Sequence, residues 1–336
     1  ENSGKGSVEA ARLAIEEFGG KVNGKPIELV IGDHQNKADI GVSIANKWFD
    51  VEQVDAVTDL VNSAVALGVQ DIAKRKEKIT LISGAGTFDL TGKACSPTGV
   101  HWTYDTWSLG KGIAEALLQL GKKWYFITAD YAFGHDLLKV AKRFMEANGG
   151  QFAADELVPT DFSDFSTILT KIRSAKPDMV VSNLAGVQIT NFLKQYSEFG
   201  LDFPVAGFGF DTAVAWGAGK GNFFGTWPLV WHHLIDTPGS KAFVAAFTKK
   251  YGKPPENQAW GDYISMKILA KSMNDIKSAD PLKIIEHWAK EPKFDLLKTR
   301  EGYFRKYDHQ LMHEMYAVEA LKASELKNQW DIFATS

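Results

Sequence analysis

Apolar positions along the chain follow two alternating rhythms. Val8, Ala11, Leu13, Ala14, Ile15 and Phe18 recur at helical spacing and predict an amphipathic helix with one face for a core. Short apolar runs then alternate with helical stretches: a strand over 27–31, a helix over 39–49, a strand over 56–60, a helix over 64–74 and a strand over 79–82. Such alternation predicts a parallel sheet with helices on both faces. A helix over 106–120 opens a second series, with strands over 124–128, 152–158, 179–182 and 205–208 separated by helices over 133–148, 165–174 and 187–199. The pattern therefore writes the same α/β architecture twice, as two doubly wound, Rossmann-like lobes. Helices over 240–251, 258–274 and 281–289 are expected to return to the first lobe, and 315–321 to supply a late strand. The expected division is 1–105 with 234–308, and 106–233 with 309–336, with crossings at 101–106, 231–236 and 305–310. Three crossings would make a hinge. A doubly wound sheet that opens on a helix also leads us to expect a first strand, and an export signal, upstream of this sequence.

Composition narrows the classes. With 336 residues, 45% hydrophobic and 24% charged, the chain is long enough for two separate cores. Its 38 basic and 41 acidic residues are interspersed and leave a net charge of -3, so it carries no electrostatic footprint for nucleic acid or an anionic membrane. Cys95 is the single cysteine, which excludes an intrachain disulfide and a thiolate metal cluster. No apolar run approaches the ~20 residues that a membrane-spanning helix needs.

Open parallel sheets hold ligands outside the carboxyl ends of their strands. The residues just past each predicted strand are Val61, Asn62 and Ser63; Gly84 to Thr87; Tyr104; Asp130 to Phe133; Asn183 to Gly186; Phe210 to Thr212; and Trp231. They are hydroxyls, amides and aromatics, with Asp130 and Asp211 as the acids and no lysine or arginine. This set favours dipolar and stacking recognition of a small organic molecule. The loop S-G-A-G-T at Ser83 to Thr87 resembles a phosphate nest, but G-x-x-x-x-G-K-[ST] is absent and the third glycine of a dinucleotide fingerprint is missing. A second stretch, W-G-A-G-K-G from Trp216, has Val214 where the first Walker glycine must lie and Gly221 where Ser or Thr must hold magnesium. No serine sits in a G-x-S-x-G elbow, and Cys95 has no neighbouring base. His309 and His313 have i, i+4 spacing, but the segment alternates as a strand, in which they would lie ~13 Å apart. No cofactor and no metal are expected. Trp102, Tyr104, Trp107, Tyr131, Phe133, Phe208, Phe210, Trp216 and Trp231 fall near strand ends or crossings and suggest an aromatic-lined pocket.

Six stretches in order, V-x-A-A-R-L-A-I-E-E-F-G-G, G-K-P-I-E-L-V-I-G-D-H-Q-N-K-A-D-I-G, N-S-A-V-A-L, I-S-G-A-G-T-F-D-L-T, T-A-D-Y-A-F-G and T-D-F-S-D-F, resemble the branched-chain amino acid type of ABC-transporter solute-binding protein. The resemblance spans nearly the whole chain. It implies the type 1 periplasmic binding fold, an exported monomer without enzymatic activity, and a ligand held between the lobes by hinge closure. It further implies that Ser63, Ala85, Gly86 and Thr87 clasp a ligand carboxylate, while Tyr131, Phe133, Asn183 and Ala185 cover the tail. Asp211 lies near the family's acid for an amino group, and Asn62, Tyr104 and Trp231 complete the candidate set. Two departures stand out: Phe133 replaces a tyrosine, and the aromatic expected near Leu184 to Gly186 is absent. They point to aromatic or other hydrophobic acids as ligands, delivered to an ABC permease in the inner membrane. An amino acid ligand, with Asp211 receiving its amino group, is the alternative; a sensor on the same scaffold is another, and a dehydrogenase would need a nucleotide fingerprint that no strand end here carries.

Overall fold

A computed structural model describes residues 2–335. The chain forms two compact units, the first running to Asp105 and resuming over His233–Glu314, the second covering Thr106–His232 and the residues from Met315 on. The third passage between units lies at 314/315 rather than within 305–310. His309 Nδ1 meets the Gly99 carbonyl at 3.0 Å, and Leu311–Met312 pairs antiparallel with Tyr303–Phe304, so residues 309–314 stay with the first unit. These local bonds outweigh the alternation that assigns them to the second lobe.

The first unit contains a three-stranded parallel sheet of β1 (Ala56–Asp59), β2 (Ile79–Ile82) and β3 (Gly99–His101), in the order β1-β2-β3. β2 is buried along its whole length, as expected for a central parallel strand covered on both faces. Helices Ala38–Asp50 and Ser63–Arg75 supply Ala45, Phe49, Val65, Val69 and Ile72 to a core that includes Val57 and Ile82. Helix Asn2–Glu17 packs along the long helix Asn257–Ile276.

The strand expected over 27–31 does not form. Val30 and Ile31 are 41% and 50% exposed, and these residues have no ladder partner among the described residues. An apolar run becomes a strand only where a neighbour takes its backbone groups. Only Lys21–Val22 and Lys25–Pro26 pair nearby, as a short hairpin. A cavity of about 60 Å³, lined by Gly32, Trp48, Val57 and Asp59 among others, borders β1.

The second unit holds seven strands: β4 (Lys123–Ala129), β5 (Gln151–Val158), β6 (Met179–Asn183), β7 (Val205–Gly207), β8 (Thr226–Leu229), β9 (Tyr316–Ala320) and β10 (Phe333–Thr335). Their order is β10-β9-β8-β7-β6-β4-β5, parallel from β5 to β8 and antiparallel beyond. Its core centres on Tyr125, Ile127, Phe165, Phe192, Tyr196 and Trp227, with Phe165 edge-on to Phe192 at 5.5 Å. Strands β3, β8 and β10 and the helix Thr212–Gly217 are not expected from the sequence pattern.

Candidate functional site

In the first unit the ends of β1 and β2 converge. Asp59 and Leu60 both adopt left-handed backbone, with φ of 73° and 57°, and turn the chain sharply from β1 toward helix Ser63–Arg75. Two adjacent non-glycine residues in this region store strain of roughly 1–3 kcal/mol each, which persists where surrounding structure over-determines it. The Asp59 carbonyl accepts from Ser83 N–H at 3.2 Å and Gly84 N–H at 3.0 Å, tying the two strand ends together. Gly84 is required for that approach, since a Cβ there would lie 2.7 Å from Val61 Cα. Thr87 N–H then donates to Ser63 Oγ at 3.3 Å. Ser63, Ala85, Gly86 and Thr87 are thus brought together, all buried, beside a helix N-terminus whose dipole favours negative charge.

The loop's carbonyls are taken from one side. Thr103 Oγ1 donates to Ser83 O at 2.6 Å, Tyr104 OH to Gly84 O at 2.9 Å, and His101 Nε2 to Ala85 O at 2.6 Å. A carbonyl only accepts, so the His101 proton sits on Nε2, and burial pushes the imidazole pKa down so that the ring stays neutral. The N–H groups of Ala85 and Gly86, in contrast, find no acceptor among the described residues. Beneath the loop, Asp262 accepts from Thr58 Oγ1 at 2.7 Å and Ser83 Oγ at 2.9 Å, and burial raises its pKa.

Two first-unit candidates also make structural bonds. Asn62 Oδ1 accepts from Ala64 N–H at 2.9 Å and Val65 N–H at 3.2 Å, so its side-chain oxygen caps the helix. Tyr104 directs its hydroxyl proton at Gly84 O and supports the loop.

Within the second unit, Tyr131 precedes helix Ala132–Ala147 and Phe133 lies in its first turn, their ring centroids 6.1 Å apart. Phe133 is almost fully buried, its ring tip against Gly209. Asn183 ends β6 fully buried; its Nδ2 reaches Thr128 Oγ1 at 3.3 Å, and its Oδ1 has no partner among the described residues. Ala185 is half-buried in the following loop. Asp211 caps helix Thr212–Gly217, accepting from Ala213 N–H at 2.8 Å, so one of its oxygens is engaged within the unit. Trp231 is fully buried.

Sequence reasoning missed His101, Thr103, Ser83 and Asp262. The first two had a signal: in an extended segment they are two apart and share a face. Asp262 had none, because it lies 204 residues from Thr58.

Two α/β units, the first on a parallel sheet and the second on a mixed one, carry a donor-rich loop at the strand ends of the first. The sequence matches the periplasmic binding protein family over residues 1–325. A periplasmic binding protein from Burkholderia mallei is 35% identical, with a TM-score of 0.92 over 98% of this chain and 88% of that one. The Leu/Ile/Val-binding protein homolog 7 of Brucella suis is 24% identical, over 97% of this chain and 85% of its own length. A solute-binding protein of an ABC transporter from R. palustris, solved in complex with benzoate, is 22% identical with a TM-score of 0.86 over 99% of this chain and 91% of that one, which shows the fold alone. The chain belongs to the periplasmic binding protein family, in its branched-chain amino acid type. It has the type 1 fold and is a solute-binding protein of ABC transporters, extracytoplasmic and not an enzyme.

Proposed function

We propose that this protein captures a small hydrophobic carboxylate, an aromatic acid before all others, and delivers it to an inner-membrane ABC permease as an exported monomer. The observation that carries the reading is the pair of buried, acceptor-free N–H groups at Ala85 and Gly86 beside the Ser63 and Thr87 hydroxyls. Such a set holds a carboxylate by charge-assisted hydrogen bonds and the helix dipole, without a cationic side chain. Hinge closure then brings Tyr131, Phe133, Asn183 and Ala185 over the tail, and the closed form is what the permease recognises; the ligand must favour that form for capture to work. The benzoate complex of the R. palustris protein supports an aromatic acid. The Leu/Ile/Val-binding relative supports the second reading, an amino acid whose ammonium meets Asp211. Calorimetry and thermal shift with benzoate, phenylpyruvate, phenylalanine and leucine separate them. Stabilisation by the two acids lacking an amino group is the expected result; stabilisation by phenylalanine and leucine alone would replace the first reading with the second.

A further inference from the structure

We propose that His101 is the positioning residue of the donor loop, fixing the Ala85 carbonyl so that the Gly86 N–H is presented to the ligand; this rests on reading that loop as a carboxylate clamp. A trans peptide points its C=O and the following N–H in opposite directions within one rigid plane. Whatever holds the oxygen therefore aims the hydrogen. At Ala85–Gly86 the holder is His101 Nε2–H, 2.6 Å from the oxygen, on a side chain 1% exposed at the end of β3. The neighbouring plane is held in the same way by Tyr104, which takes Gly84 O and aims the Ala85 N–H. His101 is itself anchored: its N–H reaches His309 O at 3.2 Å, and its carbonyl accepts from Gln310 Nε2 at 3.3 Å. A clamp made of backbone dipoles lacks a charged side chain that could swing to meet the anion. Its affinity depends on orientation fixed before the ligand arrives.

The test compares His101→Leu, which keeps bulk and loses the donor, with His101→Gln, whose amide N–H restores a donor near the Nε2 position. Two readouts are taken: benzoate affinity by calorimetry, and Gly86 amide hydrogen exchange by NMR in the unliganded protein. Wild type binds benzoate, His101→Leu binds at least tenfold more weakly with altered Gly86 exchange, and His101→Gln recovers most of both. Affinity and Gly86 exchange in His101→Leu that match wild type overturn the proposal, as does a glutamine variant no better than leucine. Should His101→Leu fail to fold, His101→Asn, whose shorter amide stops short of the Ala85 carbonyl, takes its place, and Gly86 exchange unchanged by it overturns the proposal. If wild type binds neither benzoate nor leucine, the carboxylate reading falls separately, and Gly86 exchange in the unliganded variants still decides whether His101 sets the loop.

Discussion

At the end of β2 in the first unit the backbone N–H groups of Ala85 and Gly86 are available, while His101, Thr103 and Tyr104 direct their donors at the loop's carbonyls. At the ends of β4, β6 and β7 in the second unit, polar side chains are drawn into their own element ends: Asp211 into a cap, Asn183 toward Thr128, Asp130 toward His135 at 2.8 Å. What those strand ends offer instead is aromatic surface from Tyr131 and Phe133. On the proposed function, the contrast would divide recognition into two kinds. Backbone dipoles in a tied loop would then read a constant group, because their positions do not vary with side-chain identity, and aromatic faces would read the variable remainder. A family can then change its ligand by substitution in one unit while keeping the clamp in the other.

The largest expected difference between the units is in acid. Lys298 Nζ donates to His313 Nδ1 at 2.8 Å and to Glu314 O at 2.7 Å, and burial together with that ammonium lowers the His313 pKa to about 3. A folded pKa below the unfolded value of about 6.5 means that His313 favours the native state fully above pH 6.5, and that this is lost as pH falls toward 3. The loss reaches on the order of 3 kcal/mol by pH 4. His101 adds in the same direction, while the raised pKa of Asp262 offsets part of it. In the second unit Asp155, raised by burial, works the other way, gaining stability as pH falls through its folded value toward the unfolded one. Hydrogen-exchange mass spectrometry from pH 7 to pH 4.5 is expected to show β1 to β3 opening before β4 to β7; the reverse order would break the comparison.

Next is a backbone contact in the second unit. A Cβ on Gly134 would lie 2.0 Å from the Ala129 carbonyl, so Gly134→Ala must shift the helix off the end of β4. A loss of about 1–3 kcal/mol in urea denaturation is expected. Wild-type stability in this variant would mean that the helix start is loosely set.

At the clamp, Thr87→Val should weaken benzoate by ~1–3 kcal/mol, the cost of an unmade hydrogen bond to a charged group. Its hydroxyl also accepts from Asp89 N–H at 3.3 Å, so some stability is lost as well. Thr87→Ser, which keeps the oxygen, is the control, and calorimetry in which valine and serine variants bind alike would remove Thr87 from the clamp. The smallest effect is expected at Asp211→Asn. Asparagine caps a helix as well as aspartate does, so stability should move by less than about 0.5 kcal/mol and benzoate affinity should hold. A selective loss of leucine or phenylalanine binding would instead place the ammonium at Asp211.

Much of this was readable from residue order. The alternation of helix and strand, the return of the 240–289 helices to the first unit and the strand-end position of S-G-A-G-T all follow from local periodicity and chain order, because a buried face imposes its period on the sequence. What escaped depends on partners. Ile27 to Ile31 carries a strand's composition, yet a strand needs a neighbour for its backbone, and none is present among the described residues. Asn62 Oδ1 and one Asp211 oxygen also cap helix N-termini, a role that depends on the folded turn and that chain order does not reveal.

The sequence by itself determined the class of architecture, the family and the loop at which the donors gather, since these rest on periodicity and on short contiguous motifs. Tertiary structure alone decided which way that loop faces. Ser83, Gly84 and Ala85 are contiguous, but the groups holding their carbonyls come from the next strand and the segment after it, and the carboxylate beneath comes from a helix late in the chain. A peptide's orientation is set by whatever bonds to its oxygen, and only folding brings those partners within hydrogen-bonding distance.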